Sequence, residues 1–150
     1  MEVYKKATET QYEEFLNLML EHMADYIETL MERMGMTIEE FRYLLKTVGQ
    51  VYSINHEQEV AGFCWVEERG DEIHLHGIVL KENYQVQGIG TRTLNAVAEK
   101  YQGEKAFIEL GVHQGNTGAI KLYEKLEYQI AEIKEDLGFY IMRKIAKPET

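Results

Sequence analysis

Two stretches of this 150-residue chain carry side chains whose types and spacing could do chemistry. The first is Glu72-Ile73-His74-Leu75-His76. In an extended strand, alternation puts Glu72, His74 and His76 on one face and Ile73 and Leu75 on the other. Histidine titrates near neutrality, so such a pair suits proton shuttling. The second begins with the apolar strand end Ile78-Val79-Leu80 and continues through Gln85-Val86-Gln87-Gly88-Ile89-Gly90-Thr91 into an amphipathic segment. The first turn of a helix has N–H groups without internal partners, which carry the positive end of its dipole. Glycine lets an anion approach that backbone closely. The spacing therefore predicts a pyrophosphate cradle at a helix start. Gln85 and Gln87 are neutral, so backbone amides would do most of the holding. Lys81, Arg92, Lys121 and Lys125 are the nearby cations.

Other phosphate loops do not fit. A dinucleotide fingerprint needs a third glycine where Thr93 stands, and a P-loop needs Gly-Lys-Ser/Thr after four spacer residues. The pattern Q/R-x-x-G-x-G/A does fit. Downstream, Asn116-Thr117-Gly118-Ala119-Ile120-Lys121-Leu122-Tyr123-Glu124-Lys125-Leu126-Glu127-Tyr128 matches N-x-x-A-x-x-L-Y-x-K-x-G-[FY] except at Glu127. In register, the two motifs resemble those of the GNAT superfamily of acetyl-CoA-dependent N-acetyltransferases. The resemblance covers roughly residues 50–145. Glu127 replaces a glycine that ordinarily takes a left-handed backbone at the helix end. Such a backbone costs any other residue about 1 kcal/mol, so a differently shaped helix end is expected.

The resemblance implies direct attack of an amine on the thioester of acetyl-CoA. That reaction needs a base for the ammonium and an acid for the leaving thiolate. By motif position Tyr123 is the acid. His74 and His76 fall where one branch of the superfamily carries a histidine pair, and position 74 is where another branch carries a glutamate. Glu109 is a lesser candidate for the base. Acetyl-CoA would be held by Ile78, Val79, Leu80, Gln85, Val86, Gln87, Gly88, Ile89, Gly90, Thr91, Asn116, Ala119 and Tyr123. The strand bearing Ile78 to Leu80 would splay from its neighbour, which the sequence alone does not show.

These residues need a scaffold, and the hydrophobic periodicity supplies one. Two capping boxes, Thr10 with Glu13 and Thr37 with Glu40, open amphipathic helices that end at Gly35 and Gly49. Period-two segments then read as strands. The expected order is β-α-α-β-β-β-α-β-α-β-β over one domain, residues 1–150. This is an α/β (α+β) arrangement, a mixed sheet of about seven strands flanked by about four helices.

Composition sets limits. The chain has 26 acidic and 16 basic residues, a net charge of -10. Phosphate binding needs a basic footprint, so nucleic acid is not an expected partner. An acidic protein suits a cationic acceptor. The single cysteine, Cys64, excludes an intrachain disulfide and reads as a small core residue. Histidine spacing suggests no metal. No apolar run is long enough for a membrane span, and a cytoplasmic location fits. Three functions are open: acetylation of a small-molecule amine, acetylation of a protein N-terminus or lysine, and acyl-CoA binding without turnover. A homodimer is also open.

Overall fold

The computed structural model describes residues 2–85 and 87–146. The chain starts in strand β1 (Glu2–Lys6), and the Ala7 N–H still donates to Val51 O. Helix α1 (Glu9–His22) begins at the first chance after that. Its capping box is Thr8 with Gln11, not Thr10 with Glu13: Gln11 N donates to Thr8 Oγ1 and Thr8 N donates to Gln11 Oε1. Both pairs carry the same signature. The end of β1 decides between them, and Thr10 falls inside the first turn.

The long helix expected to run to Gly35 is broken. Met23 (φ -125°, ψ 32°) separates α1 from α2 (Ala24–Met34), so among the described residues five α-helices flank the sheet where about four were expected. No proline or glycine marks the break. Tertiary packing imposes it: α1 buries Phe15, Leu16 and Met19 over the middle of the sheet, while α2 buries Ile27 and lies over the next strand along. Helix α3 (Ile38–Thr47) starts at the Thr37–Glu40 box as expected.

Strands β2 (Gln50–His56), β3 (Glu59–Arg69) and β4 (Glu72–Leu80) form an antiparallel meander. Helix α4 (Ile89–Lys100) follows a 3₁₀ turn, Glu82–Tyr84. Then come β5 (Phe107–His113), α5 (Thr117–Lys125), β6 (Gln129–Lys134) and β7 (Phe139–Ile145). The seven strands lie in the order β1-β2-β3-β4-β5-β7-β6, all antiparallel except β4 with β5. One core lies under α1–α3 and includes Phe15, Phe41, Phe63, Trp65 and Val79. The other lies under α4 and α5 and includes Cys64, Ile73, Leu75, Leu94 and Leu110.

Two irregularities in β4 position the site. Its parallel pairing with β5 runs only from Glu72↔Phe107 to Leu75↔Leu110. Beyond that point the strands part. A bulge also sits at His76: Trp65 pairs with Gly77, but Val66 pairs with Leu75. The extra residue reverses the alternation. Ile73 and Leu75 face the α4–α5 core before the bulge, and Ile78 and Leu80 face it after.

The end of α5 departs from expectation. Glu127 adopts φ +73° despite its side chain. Tyr128 N donates to Tyr123 O at 2.9 Å and Glu127 N to Glu124 O at 3.0 Å, the two bonds of a Schellman motif. The Tyr123 and Tyr128 rings pack at 5.8 Å and supply its apolar contact. That packing keeps the left-handed end in place without glycine.

Candidate active site

A cavity of about 540 Å³ opens where β4 and β5 diverge. Its walls come from both sides of the sheet. Leu75, His76, Gly77 and Ile78 line it from β4, and Leu110 to His113 from β5. Gly115, Asn116 and Tyr123 close it on the α5 side, and residues Glu21 to Tyr26 on the other. The break at Met23 is what brings Glu21, Asp25 and Tyr26 to the mouth. Among the described residues the wall carries two carboxylates and no lysine or arginine.

His76 and Tyr123 both line this cavity; His74 does not. His74 and His76 meet ring to ring at 4.4 Å, and His76 also packs on Trp65 at 4.5 Å. Burial pushes the His76 imidazole down to about 4, and a protonated His74 or Arg69 would oppose its charge further. The hydrogen bond to Glu67 pulls the other way, without prevailing. His74 is lowered for the same leading reason. Both rings are therefore neutral at physiological pH. Glu109 bonds to His74 and Arg143, and stands behind His74 rather than on the cavity wall. Burial raises the Tyr123 phenol, which stays protonated.

The expected cofactor residues divide by orientation. Ile78 lines the cleft, Leu80 packs toward α4, and Val79 turns into the core under α1–α3. Ile89 is fully buried and anchors α4. Gln85 Nε2 donates to Leu80 O and Gln87 Nε2 donates to Asn83 O, so both amides brace the loop itself. Arg92 folds back to donate to Gln87 O and brings a cation to the loop. Val86 lies outside the described residues. Thr91 sits in the first turn of α4. Asn116 caps α5 by accepting from Ala119 N, and Ala119 packs on the core below.

Sequence reasoning missed Tyr26, Glu21, Asp25, His113 and Glu67. Tyr26 stacks on Phe139 at 4.7 Å, and burial raises its phenol. No local pattern distinguishes it from helix filler. Glu67 could have been found as a strand residue near a histidine pair, had the meander register been known.

The model of the acetyltransferase (GNAT) family matches residues 11–128. The chain belongs to this family. Solved GNAT-fold structures share its architecture at low identity. Aminoglycoside 6′-acetyltransferase type Ii is 19% identical, with all of both chains covered and a TM-score of 0.71. The ribosomal-protein-S18-alanine N-acetyltransferase from Escherichia coli is 23% identical, over 77% of this chain and 80% of that one, with a TM-score of 0.62. A GNAT acetyltransferase from Elizabethkingia anophelis, solved with acetyl-CoA bound, is 19% identical over 71% and 82%, with a TM-score of 0.63. No curated protein matches the sequence.

The GNAT cofactor fits the residues present. Gly88 holds φ +74°, and a Cβ there would meet nothing within 4 Å. A Cβ on Gly90 would meet only the Leu80 side chain, at 3.8 Å. Among the described residues nothing fills the space over these two glycines, and it adjoins the α4 N-terminus. Among the described residues no group of three or more His, Cys, Asp or Glu is placed to hold a metal ion, and no helix is long and apolar enough to cross a membrane.

Proposed function

We propose that this acetyltransferase acts on a primary amine of a small cationic molecule, with His76 as base and Tyr123 as acid. One observation carries the reading. A single cavity has a neutral imidazole on its β4 wall and a protonated phenol on its α5 wall, with Glu21 and Asp25 at the mouth and, among the described residues, no lysine or arginine in its lining. An entrance lined by carboxylates and without lysine or arginine favours an ammonium and disfavours an anionic acceptor.

Acetyl-CoA, held over Gly88 and Gly90 and along Ile78, supplies the activated acyl group. His76 accepts a proton from the acceptor ammonium and frees its lone pair. In water the gap between an ammonium and a depressed imidazole would forbid this. In the cavity the same desolvation lowers the ammonium too, so two buried cations are compared. Tyr123 donates toward the departing sulfur. His74 backs His76, and Glu109 holds His74.

The test is thiol release from acetyl-CoA with a panel of polyamines, aminoglycosides, arylalkylamines, amino acids and peptides. The expected outcome is acceptor-dependent turnover with a polycationic small amine, reduced on the order of a hundredfold in His76→Gln and in Tyr123→Phe. Turnover confined to peptides would replace this reading with protein acetylation. Binding of acetyl-CoA with no turnover on any amine would replace it with a non-catalytic module.

A further inference from the structure

Each histidine of the pair has its own carboxylate, and each carboxylate its own arginine. Arg69 Nε donates to Glu67 Oε1 at 2.8 Å, and the same oxygen lies 2.7 Å from His76 Nε2. Arg143 Nε donates to Glu109 Oε2 at 2.9 Å, and Glu109 Oε1 lies 3.0 Å from His74 Nδ1. The two arms approach from opposite sides of β4, and their rings meet at 4.4 Å.

The pairing is not what flat strands would give. Glu67 stands directly across from His74 in the β3–β4 register, yet it bonds His76. His74 instead bonds Glu109, its register partner on β5. The bulge at His76 makes this exchange possible. Trp65 then lies against the His76 ring, so stacking and hydrogen bonding both hold it.

An ionised carboxylate only accepts hydrogen bonds. Burial pushes the Glu67 carboxyl up, but its bonds to His76 and Arg69 outweigh this and keep it ionised. His76 Nε2 must then carry the hydrogen, which leaves Nδ1 as the basic nitrogen. On His74 the assignment is reversed.

We propose that Glu67 is a positioning residue for acyl transfer: it fixes His76 in the tautomer with basic Nδ1 and stabilises the imidazolium that His76 becomes. This rests on His76 being the base. In that step an N–H bond of the acceptor ammonium breaks and its proton goes to Nδ1. The electron pair stays on the amine, and the new positive charge sits against the Glu67 carboxylate. The geometry is that of a base oriented by a third group. A Glu67 serving only the strand would need no histidine, because Arg69 already engages it two residues along β3.

The test has two readouts. Long-range 1H–15N spectra of histidine-labelled protein report tautomers without turnover. The wild type should show His76 protonated at Nε2, and Glu67→Ala should lose that single tautomer. With the preferred amine, Glu67→Gln should lower kcat by on the order of ten- to a hundredfold, part of what a positioned base supplies, with KM values within about twofold. The same change in a His76→Gln background should cost almost nothing more, because groups acting as a unit are not additive. His76 protonated at Nδ1 in the wild type would overturn the proposal, as would a full additional loss in the His76→Gln background. If the wild type acetylates no amine, the parent reading fails instead, and the spectra still decide whether Glu67 sets the tautomer.

Discussion

Gly62 is the point where a single methyl group should be felt across the site. It pairs with Leu80 in the β3–β4 register, and a Cβ built there would stand 2.8 Å from Leu80 Cα and closer still to Val79 O. Ordinary contact is 3.4–4 Å. Gly62→Ala therefore requires β3 and the end of β4 to separate by roughly 1 Å, and the obstacle is backbone, which cannot swing aside. Overpacking of this kind costs about 1–3 kcal/mol. For a chain of this size that corresponds to a fall in Tm of roughly 3–10 °C. The displaced segment carries Ile78, which lines the cleft, and adjoins the loop leading to Gly88, so KM for acetyl-CoA should rise several-fold. Thermal melts and saturation kinetics measure both effects. Gly118→Ala is the control: it lies in α5 with nothing within 4 Å, and it should leave Tm unchanged or raise it. If Gly62→Ala melts within a degree of wild type with unchanged KM, the close approach of β3 to β4 is wrong.

Other outcomes follow from the same geometry. Gly90→Ala should raise Tm, by up to about 1 kcal/mol of helix stability, yet weaken acetyl-CoA binding, because its methyl enters the open space over the α4 start; titration calorimetry reads the affinity. Cys64 is fully buried and its thiol is pushed up to about 12 by burial, so it should resist thiol reagents until the protein unfolds. His76 is held neutral in the fold, with its value depressed from 6.5 to about 4. As pH falls from 6.5 toward 4 the unfolded chain takes up a proton that the fold refuses, so stability is lost through that window, by at most roughly 3 kcal/mol. His76→Gln should flatten that part of the stability curve, as followed by urea midpoints at pH 4.5, 5.5 and 7.

The strands and the last three helices were legible because their residues are locally consistent. Val51 to Ile54 and Phe107 to Val112 alternate or run apolar, and Asn116 caps the helix it precedes. The broken helix was not, because Met23 favours a helix on its own and yields only to what α1 and α2 each cover. The start of α1 misled for a different reason: two equivalent boxes overlap, and only the end of β1 selects one. Within the site, His76 and Tyr123 could be placed by motif spacing. His74 stands back from the wall because its stretch of β4 is still paired with β5 and the cavity opens only where that pairing ends; the bulge between Leu75 and Gly77 leaves no mark in the residue types. Glu67 and Tyr26 reach the site through register and helix packing, which belong to the whole chain rather than to a segment.

The extra residue at His76 has a further consequence when viewed as a length change. Deleting one residue between Leu75 and Gly77 would restore a regular ladder and turn every later β4 side chain over. Ile78 and Leu80 would then point toward α1–α3 and Val79 toward α4. The strand would keep its composition and lose its sidedness. Between Leu75 and Gly77 the count itself carries the information, so point substitutions there are a milder change than any insertion or deletion.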